Sequence, residues 1–141
     1  MLAIGSVQGN GNKSGLVRVY YYSAANKSWT EFGDDIVPEN ETTATATLTD
    51  VRDFNRSWFG SSVSMSDDGL TVAVGASIAG TAHVYTYLGG GSWMRKGSVL
   101  KGKVKLDTFG HAISLSGDGL ILAIGANSYL QVYAFSASVG D

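Results

Sequence analysis

The sequence predicts an all-β chain, organised as an incomplete stack of four-stranded antiparallel meanders. Three observations carry that prediction. The segment FGSSVSMSDDGLTVAVGAS, Phe59 to Ser77, returns as FGHAISLSGDGLILAIGAN, Phe109 to Asn127, with 10 of 19 positions identical. A partial third copy, MLAIGS, opens the chain at Met1 to Ser6. The composition suits strands joined by tight turns: 19 glycines, a single proline, plentiful Val, Thr, Tyr and Ser, and no window with sustained helical spacing and caps.

The middle copy sets the order of elements. Phe59 to Ser66 alternates, with Val63 and Met65 on one side and Ser62, Ser64 and Ser66 on the other. Asp68-Gly69 then marks a hairpin turn, because glycine supplies the positive φ that such turns need. Leu70 to Ala76 is the return strand. Thr81 to Leu88 is the third strand, entered through a turn carrying Gly80. Gly89-Gly90-Gly91 is the next turn, and Ser92 to Leu100 the fourth strand.

The last copy repeats the first three strands, at Phe109 to Ser116, Leu120 to Ala126 and Leu130 to Phe135, around the turn Asp118-Gly119. The first copy supplies strands two to four: Leu2 to Ser6, Leu16 to Tyr22 and Ser28 to Phe32. The expected organisation is one segment over 1–141. It comprises a partial meander over 1–35, a polar surface loop or extra edge strand over 36–57, a full meander over 58–105 and a partial one over 106–141.

Side-chain size says how these units meet. In strands one and two, one face is bulky (Val63, Met65, Val72, Val74; Ile113, Leu115, Leu122, Ile124). The other is small (Ser64, Ser66, Ala73, Gly75; Ser114, Ser116, Ala123, Gly125). A face open to water would carry long polar residues. A small face lets another sheet come close, so each bulky face is expected to lie on the small face of its neighbour. Strand three adds the aromatics Tyr20, Tyr22, Tyr85, Tyr87, Tyr133 and Phe135, read as core. Four-stranded meanders stacked in this way make a β-propeller, and the chain is expected to be a propeller-like segment.

Composition excludes several functions. With no cysteine, disulfides and thiolate chemistry are ruled out. A formal net charge of −2 offers no electrostatic case for nucleic acid or an anionic membrane. No apolar stretch is long enough to insert as a membrane helix, and no signal peptide is visible at the N-terminus. His83 and His111 lack zinc-ligand spacing and are expected to be satisfied structural residues. No Ser stands in a G-x-S-x-G elbow, and the glycine triplet precedes a strand rather than a helix. The acids Asp34-Asp35, Glu39 to Glu41, Asp50 to Asp53 and Asp67-Asp68 fall in turns or the long loop, where solvation is the ordinary state. No catalytic constellation emerges. One pattern stands above chance: Asn12, Asn26, Asn40 and Asn55 each begin an N-x-[ST] sequon, four of the six asparagines.

The string Phe-Gly, alternating strand, Asp-Gly and Gly-Ala resembles the FG-GAP repeat, found in the propeller of integrin α subunits and many other extracellular proteins. The match covers Phe59-Gly60 to Gly75-Ala76 and Phe109-Gly110 to Gly125-Ala126, and more weakly Leu2 to Gly5. It departs from the family where Ser77 and Asn127 replace the final proline. The WD dipeptide is absent, the kelch glycines are misplaced, and the Asp-box is broken at Met65 and Gly117. The resemblance implies a non-catalytic interaction or adhesion module, extracellular or at the cell surface, recognising protein or glycan through its inter-blade loops. Some family members bind calcium in the hairpin turn. Here Asp67, Asp68 and Asp118 are the candidates, and they are too few for a calcium shell of 6–8 oxygens, so no cofactor is expected. The alternatives are part of a propeller-type hydrolase or a self-assembling repeat protein. With one full and two partial blades, three readings stay open: a piece of a longer product, assembly with copies of itself, or a compact open arc.

Overall fold

The computed structural model describes residues 1–8, 15–39, 57–104 and 106–136. Among these the chain is all-β, with no helix and three antiparallel sheets, none of them closed. The first sheet orders β1 (Leu2–Ser6), β2 (Leu16–Ser23) and β3 (Ser28–Glu31). The central sheet orders β4 (Phe59–Met65), β5 (Thr71–Ala76), β6 (Thr81–Gly89) and β7 (Ser92–Arg95), with β8 (Leu100–Lys101) also on β6. The last sheet places β10 (Ile121–Gly125) between β9 (Ala112–Leu115) and β11 (Leu130–Ala134).

Register makes the repeats superimposable. Leu2 pairs with Tyr20, Val72 with Tyr85, and Leu122 with Tyr133. Two residues along, on the same face, Ile4 pairs with Arg18, Val74 with His83, and Ile124 with Gln131. The same position therefore holds Arg18, His83 and Gln131 in the three sheets.

The sheets lie against one another with the expected polarity. Val72, Val74 and Tyr85 on the bulky face of the central sheet share a buried cluster with Val17, Val19 and Ile36 of the first. Ala73 and Ala82, on its small face, share a second cluster with Leu122 and Ile124 of the last. Glycine makes the approach close enough. The carbonyl of Gly60 stands where a Cβ on Gly5 would be, and the carbonyl of Gly110 stands where a Cβ on Gly75 would be. Serines of the small face bond across the gap: Ser62 Oγ donates to the Gly110 carbonyl (2.8 Å), and Ser64 Oγ accepts from Leu115 N (2.9 Å).

Several sequence expectations are corrected. The fourth strand is not continuous over Ser92 to Leu100. It breaks at Gly97, where φ is 78°, and rejoins β6 as β8. The first sheet breaks in the same way. After β3, Phe32 N donates to Val19 (2.8 Å), and Ile36 then bridges Val17 in both directions (2.8 Å each). Ile36, placed in the loop by sequence, is a core residue only 2% exposed. Strand one of the last copy begins at Ala112 rather than Phe109; Thr108 to His111 forms a turn closed by His111 N to Thr108 O (3.0 Å), as Trp58 to Ser61 does in the central copy (2.9 Å). The aromatic strand-three positions are not all core. Tyr85 is buried, but Tyr22 and Phe135 are 50% and 43% exposed.

Candidate functional site

The two ends of the stack differ. At one end, the turns between strands one and two are closed by their own side chains. Ser66 N donates to Thr71 O (2.9 Å), and Gly69 N donates to Ser66 O (3.0 Å). The loop is thus four residues long, and only Gly69 has positive φ, at 73°. Asp68 accepts from Ser66 Oγ (2.6 Å) and Leu70 N (2.9 Å), and Asp118 accepts from Ser116 Oγ (2.6 Å) and Leu120 N (3.0 Å). These bonds hold both carboxyls below the usual carboxylate range. Asp67 lies against Gly117, and its N–H donates to the Gly117 carbonyl (2.8 Å), tying one turn to the next. The carboxyls of Asp68 and Asp118 thereby serve as turn-builders, and Asp67 contributes its backbone N–H. Among the described residues no three acids, histidines or cysteines converge on a metal position.

At the opposite end the loops gather. The turn 77–80 meets the linker that follows β8. Gly102 N donates to Gly80 O (3.0 Å), and Thr81 pairs with Lys101. Lys103 N donates to Tyr129 Oη (2.7 Å), and the Tyr129 ring stacks on Phe109 at 6.1 Å and 20°. Asp107 accepts from Ser128 N (3.2 Å) and Ser128 Oγ (2.6 Å), so the linker is anchored at both ends. Between turn and linker lies a cleft of about 410 Å³, lined by Ser77, Ile78, Thr81, Lys101, Lys103 and Leu106 among others. Leu106 is 79% exposed and has φ 66°. A branched side chain in the left-handed region is strained, and such residues gather at binding sites. The arrangement suits recognition: two exposed ammonium groups, exposed aliphatic side chains, and backbone fixed beneath them.

A second groove, of about 270 Å³, runs between the central and last sheets and includes Val84, Leu100, Leu115 and Tyr133. Lys96 Nζ sits 3.8 Å over the Phe135 ring at its rim.

The histidines separate. His83 is buried on Phe59, with ring centroids 5.5 Å apart, and its Nε2 lies 3.1 Å from Thr81 Oγ1. Its Nδ1 has no hydrogen-bond partner, so the expectation of a fully satisfied histidine fails there. Burial, and secondarily the charge of Arg95, push its pKa down to about 4. His111 is exposed in the Phe-Gly turn. Of the acids read as solvated, Asp35 instead grips Arg18 bidentately at 2.6 and 2.7 Å. That guanidinium holds its carboxyl below the usual range. Of the sequons, Asn26 is exposed in the turn between β2 and β3, while Asn12, Asn40 and Asn55 lie outside the described residues. Sequence reasoning missed the lysine cleft. The available signal was the alternating run Lys101-Gly102-Lys103 after a broken strand.

The chain matches no family model and no curated protein.

Proposed function

We propose that this chain is part of a β-propeller of the FG-GAP kind and works as an extracellular interaction module, taking a protein or glycan ligand at the loop end of the stack. One observation supports this reading above the others: bulky-on-small packing recurs at two successive sheet interfaces, each centred on a Phe-Gly carbonyl seated on a glycine. That is the repetition a propeller needs. The ligand face follows from it. The hairpin end is taken up with its own hydrogen bonds, whereas the cleft between turn 77–80 and the linker leaves Lys101, Lys103 and Leu106 exposed. Ligands carrying carboxylate or sulfate groups suit the two ammonium groups. The exposed Asn26 sequon fits a secreted location.

The test is binding of the purified chain to an array of anionic and neutral glycans and to extracellular-matrix proteins, beside the variant Lys101→Glu/Lys103→Glu. The reading expects a specific subset bound by the wild type, and loss of at least tenfold in the variant. Equal binding by both proteins would move the site elsewhere. No binding to any of these ligands would count against the module reading.

A further inference from the structure

Both walls of the loop-end cleft lie inside the repeat. Turn 77–80 joins β5 to β6, and the linker after β8 leads into the last sheet. Ala79 N donates to Ser57 O (3.2 Å) and Gly102 N to Gly80 O (3.0 Å), so the turn is held from both sides. Leu100 pairs with Ala82 as Ile36 bridges Val17, so Lys101 and Lys103 correspond to Val37 and Glu39 of the first sheet. Glu39 is engaged by Arg95 at 2.9 Å. Lys101 and Lys103, in contrast, make no ion pair among the described residues. The carboxylate of Asp107, between the lining residues Leu106 and Thr108, is turned to Ser128. Two ammonium groups thus line the cleft without a paired counter-charge.

From this we infer that the cleft takes an acidic peptide, an extended segment in which two carboxylates flank an aliphatic side chain. The inference rests on the loop-end site proposed above and narrows its ligand. Charge selects an anion. The rest of the lining selects against a sugar. Ile78, Val104 and Leu106 are aliphatic and 45%, 54% and 79% exposed. Among the described lining residues there is no aromatic ring, carboxylate or amide side chain to meet a sugar's faces and paired hydroxyls. Sugar hydroxyls pressed on these aliphatic groups would lose water without regaining hydrogen bonds, whereas a leucine side chain is stabilised by burial against them. The walls also divide by chemistry, with both lysines on the linker side and Ile78 on the turn side. An extended peptide presents side chains i and i+2 to one side and i+1 to the other. A Glu-Leu-Glu segment therefore sets its carboxylates on the lysines and its leucine on Ile78. The floor admits a main chain, because a Cβ on Gly80 would meet nothing within 4 Å.

Fluorescence anisotropy of the labelled peptide Gly-Glu-Leu-Glu-Gly, titrated with the full chain at low and at raised salt, tests this. The peptides Gly-Gln-Leu-Gln-Gly and Gly-Glu-Ser-Glu-Gly are the controls, and a sulfated oligosaccharide and phosphatidylserine vesicles are the rival anions. The first peptide is expected to bind, more weakly as salt rises. Exchanging both glutamates for glutamine is expected to cost at least about tenfold in affinity, and exchanging leucine for serine at least about threefold. Lys101→Gln/Lys103→Gln, at the exposed ammonium groups, is expected to lose at least about tenfold with its β-sheet circular dichroism unchanged. Equal binding of the Glu and Gln peptides, or equal binding by wild type and variant, would overturn the inference. So would lysine-dependent binding of the oligosaccharide or the vesicles without binding of the peptide. The oligosaccharide result would leave the interaction-module reading standing, whereas no binding of any of these ligands would count against both.

Discussion

The backbone carbonyl of Gly110 occupies the space in which a Cβ of Gly75 would stand. Gly60 and Gly5 stand in the same relation one sheet earlier. Backbone cannot swing aside as a side chain can, so a methyl at either glycine must push the facing sheets away from each other. Gly75→Ala and Gly5→Ala are each expected to destabilise the chain by about 3 kcal/mol. Gly125 occupies the same repeat position, yet a Cβ there meets only its own sheet, with Ala112 Cβ at 3.3 Å. Gly125→Ala is expected to cost less than about 1 kcal/mol. Urea unfolding of the three variants at low protein concentration measures the contrast. Equal effects would remove the close approach from the account.

Burial of His83, with the charge of Arg95 adding to it, makes the fold acid-sensitive, and its Nδ1 has no hydrogen-bond partner. The folded chain binds that proton with a pKa near 4, the unfolded chain near 6.5. Between those values the unfolded chain carries a proton that the folded chain lacks. Stability therefore falls as pH falls from 6.5 to 4, by about 3 kcal/mol in all. The carboxyls of Asp35, Asp68 and Asp118 are held low, so their contribution is lost only in more acidic solution, below about pH 4. His83→Gln introduces the residue that the last repeat carries at this register, and is expected to flatten the upper window while leaving the lower one intact. Unfolding free energies measured across both windows check this.

Ser66 and Ser116 do the same work in their turns, with different exposure. Ser66 Oγ donates to Asp68 and accepts from Thr71 N (3.0 Å) in a buried position. Ser116 Oγ makes the matching bonds to Asp118 and Ile121 N (2.9 Å) where water can replace it. Ser66→Ala is expected to cost about 1–3 kcal/mol, because it leaves a buried donor unmet. Ser116→Ala should cost less than half as much. Thermal unfolding of the two variants compares them directly.

Ile36 fastens the end of the first sheet. It is buried beside Val17, while its neighbour Val37 is 45% exposed. Ile36→Ala is expected to cost about 2–4 kcal/mol and Val37→Ala under about 1 kcal/mol. Denaturant titration reads the difference.

The elements of this fold legible in sequence were those written as alternation. Val63 and Met65 against Ser62 and Ser64 told both the strand and its two faces, because a strand's side-chain period is two. The repeated small face told the stacking, since only small side chains admit a neighbouring sheet. The broken fourth strand was not legible. Ile36 lies after two acids and before the only proline, in a context that reads as loop, and only its pairing with Val17 reveals its place. The Phe-Gly turn was hidden for a related reason. Besides Gly60 and Gly110 (86° and 91°), positive φ falls there on Trp58 (56°) and Thr108 (51°), residue types that do not announce a turn. The loop-end cleft depends on how residues distant in sequence converge, and Lys101 and Lys103 carry no local mark of it.

Methyl–methyl nuclear Overhauser effects test the stacking most directly. The account predicts cross-peaks from Val72 and Val74 to Val17 and Val19, and from Ala73 to Leu122 and Ile124. Cross-peaks from Val74 to Ile124 instead, or none between sheets, would contradict it.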